Sequence, residues 1–250
     1  LFRMREFEQM ELEWFCKGET AHDFFDFWLQ ERKSFYSAIG ITADKIRLRP
    51  HEHDELSHYS SGTSDVEYHF PFGWKELEGI AYRGDFDLSQ HSKHSGKDLS
   101  IFDEEAQTSY VPHVVESSVG VDRLFLTLLF DAYHEETDGE ELRTVLKLHP
   151  SIAPIKVAIL PLVKKLSDPA EKIYKHFKRK NISVQFDSSG SIGKRYRRQD
   201  EIGTPYCITY DFDSEQDNKV TIRYRDSMQQ ERISIDHIEL YLKGLTPFCT

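Results

Sequence analysis

The sequence predicts two successive units of mixed helix and strand, and three observations carry that reading. Periodic segments break at Leu148–Pro154, where two prolines bracket a short polar stretch. Charge divides at the same place: residues 1–150 carry 15 Lys and Arg against 30 Asp and Glu, and residues 151–250 carry 17 against 13. Beyond the break, strand-like and helix-like segments alternate, which predicts α/β layers around a partly parallel sheet. The expected domains are therefore 1–149 and 150–250.

In the front half, Phe2–Phe15 alternates charged and apolar residues as a strand does, and Ala21–Ile39 spaces Phe24, Phe25, Phe27, Trp28 and Phe35 as a helix does. Tyr59–Phe70 and Leu77–Tyr82 are expected strands around a turn at Pro71-Phe72-Gly73, and Val111–Ser118 is another. Gly120 then introduces an apolar helix, Val121–His134. In the back half, Val157–Leu162 is an expected buried strand and Pro169–Lys180 a helix opened by Asp168. Ile182–Phe186 is a second strand and Ser191–Glu201 a basic helix. Strands at Tyr206–Asp211 and Lys219–Arg225 and a closing helix at Ile233–Leu242 complete the chain.

With 38% hydrophobic and 30% charged residues in 250, the composition suits a soluble protein with substantial cores. The apolar run Leu124–Phe130 is far too short to cross a bilayer, so no membrane partner is expected. Cys16, Cys207 and Cys249 lie far apart without a CxxC pair, which points to reduced thiols in the cytoplasm and away from a cysteine zinc site. The chain opens at Leu1 with neither Met nor a charged-then-apolar leader and reads as a fragment.

Three constellations could carry chemistry. On a regular strand Arg3, Arg5 and Phe7 share a face, as do Gln9 and Glu11. Paired guanidiniums beside an aromatic ring suit a nucleotide, although an exposed edge strand laced with ion pairs has the same composition. Trp74–Asp85 places Glu76 and Glu78 on one strand face, as candidate Mg²⁺ ligands or as a plain charged face, with Gly79 permitting close backbone approach. Within it, Arg83-Gly84-Asp85 matches an adhesion tripeptide by letters only. Glu116–Leu124 ends a strand in small residues, turns at Gly120 and puts Arg123 in the first turn of a helix. There it could clamp a triphosphate or be incidental to a cap.

His51, His53, His58, His69, His91 and His94 match no tight metal template. Lys194, Arg195, Arg197 and Arg198, with the cluster Lys164–Lys180, could meet phosphates or form a solvated face.

In their order along the chain these motifs resemble a known family. Phe2-Arg3-Met4-Arg5-Glu6-Phe7 is similar to the second strand of motif 2 of class II aminoacyl-tRNA synthetases. Val119-Gly120-Val121-Asp122-Arg123-Leu124 is similar to their motif 3. His58–Tyr68 and Phe72–Ala81 resemble the glycine-specific family rather than its threonyl, prolyl or histidyl relatives. Arg198–Pro205 resembles the anticodon-binding domain shared by several class II synthetases. The resemblance implies an incomplete α+β catalytic core built on an antiparallel sheet, followed by an α/β mixed-sheet anticodon-binding domain.

It also implies a glycine–tRNA ligase that forms glycyl-adenylate from glycine and ATP and passes glycine to tRNA(Gly). Phe2, Arg3, Arg5, Glu6, Phe7, Glu76, Leu77, Gly120, Asp122 and Arg123 are the implied ATP site, with Phe7 stacked on adenine. Phe7, Gln9, Glu11, Arg83, Glu116 and Ser118 shape the implied glycine pocket. Arg5, Glu76, Glu116 and Arg123 are the implied catalytic set, and Glu76 and Glu116 lie near Mg²⁺. Lys194, Arg195, Arg197 and Arg198 are the expected tRNA contacts. Position 84, often Thr in the family, is Gly here. Motif 1 and the first strand of motif 2 are missing from the 250 residues, so a homodimer is expected of the intact enzyme and inactivity of this piece alone. The rival readings are a non-catalytic tRNA- or protein-binding module and another class II synthetase; the intact side chains of the motifs and the Tyr59–Ala81 block oppose them in turn.

Overall fold

The computed structural model describes residues 2–52 and 62–245 and forms two compact units, Leu1–Phe130 and Asp131–Thr250. His53, the segment His58–Ser61 and Cys249 lie outside the described residues.

In the first unit, β1 (Gln9–Cys16) leads into α1 (Ala21–Ala38), followed by β2 (Ile46–Pro50), β3 (Gly62–Phe70) and β4 (Gly73–Gly84). Then come α2 (Phe86–Ser95), a small hairpin of β5 (Ile101–Asp103) and β6 (Thr108–Tyr110), β7 (His113–Gly120) and α3 (Val121–Ala132). The main sheet is antiparallel throughout, in the order β1-β7-β4-β3-β2. Strand alternation gives it two unlike faces. On one, Val66, Tyr68, Phe70, Ile80 and Val119 pack with Tyr36 of α1 and Leu124 of α3 into the core. The other is polar. The tight β3–β4 connection needs Gly73, whose φ is +99°.

Two expectations for this unit are corrected. The opening strand starts at Gln9, not Phe2, because its partner ends: Gln9 pairs with Gly120, and the next residues of that partner coil into α3. Residues 2–8 run on without a ladder, tied to the helix start where the Val121 amide donates to the Glu8 carbonyl at 2.9 Å. His91 and His94, whose flanking residues read as a polar loop in the sequence, lie on α2.

The second unit begins with a hairpin, β8 (Tyr133–Asp138) and β9 (Glu141–Leu146), so the helix expected to reach His134 stops at Ala132. β10 (Val157–Pro161), α4 (Ser167–Arg179), β11 (Val184–Phe186), α5 (Ile192–Glu201) and β12 (Tyr206–Tyr210) follow. The short α6 (Ser214–Asp217), β13 (Lys219–Tyr224), β14 (Gln230–Ser234) and α7 (Ile238–Leu245) complete it. The sheet order is β11-β10-β12-β13-β14; the first three strands are parallel and the rest antiparallel. β10 and β12 are buried along their whole length, as strands covered on both faces must be.

Asp200 of α5, fully buried, accepts from Arg143 of β9 at 2.9 Å and from Arg223 of β13 at 2.8 and 3.0 Å. This network fastens the hairpin to the second unit, which therefore starts ahead of the proline-bracketed stretch. Two further corrections belong here. Asp168 sits inside the first turn of α4 without capping it, since the helix already starts at Ser167. Ile233 and Ser234, expected to open the closing helix, instead end β14 (Gln230–Ser234), because β13 offers that segment a free edge.

Candidate active site on the polar face of the first sheet

Register fixes which side chains meet. Glu116 pairs with Ala81 and Glu13, Ser118 with Gly79 and Glu11, and Gly120 with Gln9. Residues at alternate positions share a face, so Gln9, Glu11 and Glu13 of β1, Gly79, Ala81 and Arg83 of β4, and Glu116 and Ser118 of β7 occupy the polar face. A cavity of about 380 Å³ opens on it.

One end of the cavity is cationic and aromatic. Arg123, in the first turn of α3, donates through Nη1 to the Glu76 carbonyl at 2.7 Å and lies 3.5 Å from the Glu76 carboxylate. Its guanidinium stacks over Phe2, 4.6 Å from the ring centroid, and Phe2 meets Phe70 and Phe72 edge-on. Arg3, Phe7, Leu77, Gly120 and Asp122 also line the cavity. Phe7 is 60% exposed, so its ring is open to a stacking partner.

The other end is a charged lattice. Arg83 Nη1 lies 2.9 Å from Glu116 Oε2, while its Nε and Nη2 reach both oxygens of Asp87 at 2.6 and 3.2 Å. That fork holds the Asp87 carboxyl below the usual carboxylate range. Gln9 donates to Ser118 Oγ at 3.0 Å, and Ser118 in turn reaches Glu11 at 3.4 Å. Partial burial, then the neighbouring Glu116 charge, push the Glu13 carboxyl up.

Of the residues expected from the sequence, Phe2, Arg3, Phe7, Gln9, Glu76 and Leu77 line this one cavity, together with Arg83, Glu116, Ser118, Gly120, Asp122 and Arg123. Glu11 stands beside it through Ser118. Arg5 and Glu6, in the ladder-free stretch ahead of β1, do not line it.

Glu76 and Glu78 do not share a face. A β-bulge opposite Val66/Glu67 inserts Leu77, so Glu76 pairs with Glu67 and Glu78 with Val66. Glu76 is left on the polar face and Glu78 is turned into the core, where it accepts from Arg32 at 2.6 Å and from Tyr36 and Ser117. Glu78 is fully buried and takes no part in the cavity. Sequence reasoning also missed Asp87, Thr63 and the small floor residue Ala81. The i, i+2 spacing of Gly79, Ala81 and Arg83 was the available signal.

On the second unit, α5 is capped by Ser191 and carries the four expected basic residues. They are not equivalent. Lys194 is exposed; Arg198 pairs with Asp187 at 2.6 Å and Arg197 with Asp138 at 2.6 Å. Arg195 is only 2% exposed and spends its guanidinium on the carbonyls of Pro161 and Leu162, at 2.5 and 3.1 Å. Its role is to tie α5 to the end of β10, and it does not belong to the basic surface. A cleft of about 600 Å³ runs past Ser191, Gly193, Lys194, Arg197 and Arg198.

Among the described residues no cluster of three or more His, Cys, Asp or Glu is grouped to hold a metal, and no helix is long and apolar enough to cross a membrane. His51 lies 2.9 Å from Asp65, beside the Arg49–Asp65 pair at 3.0 Å.

Comparison with known proteins bears on both units. Residues 156–245 match a family model described as an anticodon binding domain. The glycine–tRNA ligase of Caldanaerobacter subterraneus subsp. tengcongensis is 55% identical over 248 residues, 99% of this chain and 54% of that protein. Those of Lachnospira eligens and Geobacillus kaustophilus are 55% and 53% identical over 97% and 99% of the chain. A prolyl-tRNA synthetase from Cryptosporidium parvum, solved with L-proline and AMP, shares the fold with a TM-score of 0.71 at 18% identity, over 99% of this chain and 52% of that one. The chain spans about half the length of the curated relatives it matches. By sequence the chain is a relative of the glycine–tRNA ligases over nearly all of its own length, and by fold it is built like a class II synthetase that ends in an anticodon-binding domain.

Proposed function

We propose that the protein to which this chain belongs is a glycine–tRNA ligase, and that residues 2–123 supply much of its adenylate-forming site. The observation that carries the reading is the single cavity whose ends differ in chemistry. Arg123, Arg3 and the rings of Phe2 and Phe7 suit a nucleoside triphosphate, and Arg83, Glu116, Ser118 and Gln9 suit a small zwitterion. In this reading Phe7 stacks on adenine, Arg3 and Arg123 meet phosphates, and Gly120, Asp122 and Leu77 border the nucleotide. Arg5 and Glu6, which do not line the cavity, would reach it only from the ladder-free stretch ahead of β1. Glu116, Glu11 and Gln9 hold the glycine ammonium, while Arg83 or Ser118 holds its carboxylate.

The chemistry then needs no enzyme nucleophile. The glycine carboxylate attacks the ATP α-phosphorus and pyrophosphate leaves; a terminal ribose hydroxyl of the tRNA then attacks the acyl carbon and AMP leaves. Placement and charge neutralisation supply the acceleration. Magnesium keeps several of its waters and is bound through one or two carboxylates together with substrate phosphates. Glu76, half exposed beside Arg123, fits that part, and Glu116 is the second carboxylate. Bound with ATP, the ion would neutralise phosphate charge.

The reading extends to tRNA(Gly) on the second unit, with Lys194, Arg197 and Arg198 as contacts, and to a cytoplasmic homodimer. Glycine-dependent pyrophosphate–ATP exchange by the full-length protein tests it. Arg123→Ala should lower adenylate formation more than ATP binding, and Phe7→Ala should weaken ATP by about 1–3 kcal/mol, the value of one stacked base. Undiminished exchange in Arg123→Ala would count against the assignment.

A further inference from the structure

Gly79 stands mid-strand in β4, opposite Ser118 on one side and Asp65 on the other. A glycine there forgoes side-chain packing and loses more chain entropy on folding than any other residue. Among the described residues nothing calls for it. Its φ lies outside the left-handed region, and a Cβ built on it meets no heavy atom within 4 Å. Gly18 and Gly203 differ: the first abuts the His113 ring, and the second combines a φ of +83° with Leu148 at 2.8 Å. A side chain at position 79 would enter the cavity, because Gly79 lines it while Glu78 and Ile80 on either side are buried in the core. Along the floor, Gly79 also lies between the Glu76–Arg123 end and the Arg83–Glu116 end.

We infer that bound substrate rests on the backbone of Gly79, where nucleotide phosphate meets amino-acid carboxylate, and that the missing side chain determines their fit. This rests on the glycine-activating reading above. A methyl group at this position costs the empty protein nothing but occupies space the joined substrates need, so stability and binding part company.

The test uses the full-length protein and its Gly79→Ala variant, with thermal melting in the absence of ligand and calorimetric titration with 5′-O-(glycylsulfamoyl)adenosine, a stable mimic of the adenylate. The variant is expected to melt at or above the wild type and to bind the mimic more weakly by roughly tenfold or more. Equal affinity in the two proteins would overturn the inference while leaving the glycine-activating reading standing. A variant that melts well below the wild type would also overturn it, since Gly79 would then serve packing. A wild type that does not bind the mimic would overturn the glycine-activating reading itself, and this inference with it.

Discussion

Arg83 and Glu116 lie side by side on neighbouring strands, guanidinium to carboxylate at 2.9 Å, and the remaining face of Arg83 is gripped by Asp87 from the start of α2. One guanidinium thus joins the cavity floor to the helix that follows its own strand. The hydrogen bond from Arg83 lowers the folded-state pKa of Asp87. A lowered pKa gives stability that is present above the unfolded value and lost as pH falls through the folded one.

Asp87→Asn should therefore melt below the wild type at neutral pH. The gap should narrow as pH falls below about 4, where the carboxylate would be protonated in the unfolded chain. The pair is partly exposed, so the expected loss is only about 0.5–1 kcal/mol. A gap independent of pH would show that the Arg83–Asp87 charge pair does not carry the effect.

Glu78 offers a sharper stability test. It is a carboxylate with no exposure, held by Arg32, Tyr36 and Ser117 on the core face of the sheet. Removing one partner of such a pair strands the other charge, so Glu78→Ala should cost about 3–5 kcal/mol in denaturant unfolding. Tyr36→Phe, which deletes one donor, should cost about 1–3 kcal/mol. Urea midpoints close to wild type for both variants would contradict the buried placement.

On α5 the basic residues should divide into two classes. Arg195→Ala removes a buried cation that satisfies two strand-end carbonyls, and is expected to destabilise the second unit by about 1–3 kcal/mol. Arg197→Ala with Arg198→Ala should leave glycine-dependent exchange near normal but weaken tRNA binding. Each lost phosphate contact should reduce the slope of log affinity against log salt by about 0.7–0.9. Normal charging by the double variant at limiting tRNA would place the tRNA surface elsewhere.

Much of this architecture was legible because it follows from local pattern. The aromatic spacing of Phe24–Phe35, the turn at Pro71–Gly73 and the apolar run at Val157 each identify their own element. What was not legible depends on a partner. Whether Phe2–Glu8 joins a ladder is decided by where β7 ends, and the face Glu78 takes is decided by the bulge opposite Val66/Glu67. Gln230–Ser234 carries no strong strand pattern and is drawn into the sheet by the β13 edge. Arg195 shares its composition with Lys194, Arg197 and Arg198, yet its place on the helix turns it toward β10. The candidate site was legible only in part. Arg83, Glu116 and Ser118 meet on one face as strand alternation predicts, whereas the bulge separates Glu76 from Glu78, and Arg5 and Glu6, ahead of the ladder, do not line the cavity.

The most direct measurement is amino-acid-dependent pyrophosphate–ATP exchange by the full-length protein, with glycine, alanine, serine and proline supplied separately. In the glycine-activating reading the amino acid sits where the Arg83–Glu116 pair meets Ser118 and Gln9, and selection for the smallest amino acid there is the claim under test. Glycine alone is expected to support exchange, with alanine and serine lower by roughly a hundredfold or more, the scale on which an overfilled site rejects a larger side chain. Exchange supported equally by alanine or proline, or no exchange with glycine, would contradict the assignment of this cavity to glycine activation.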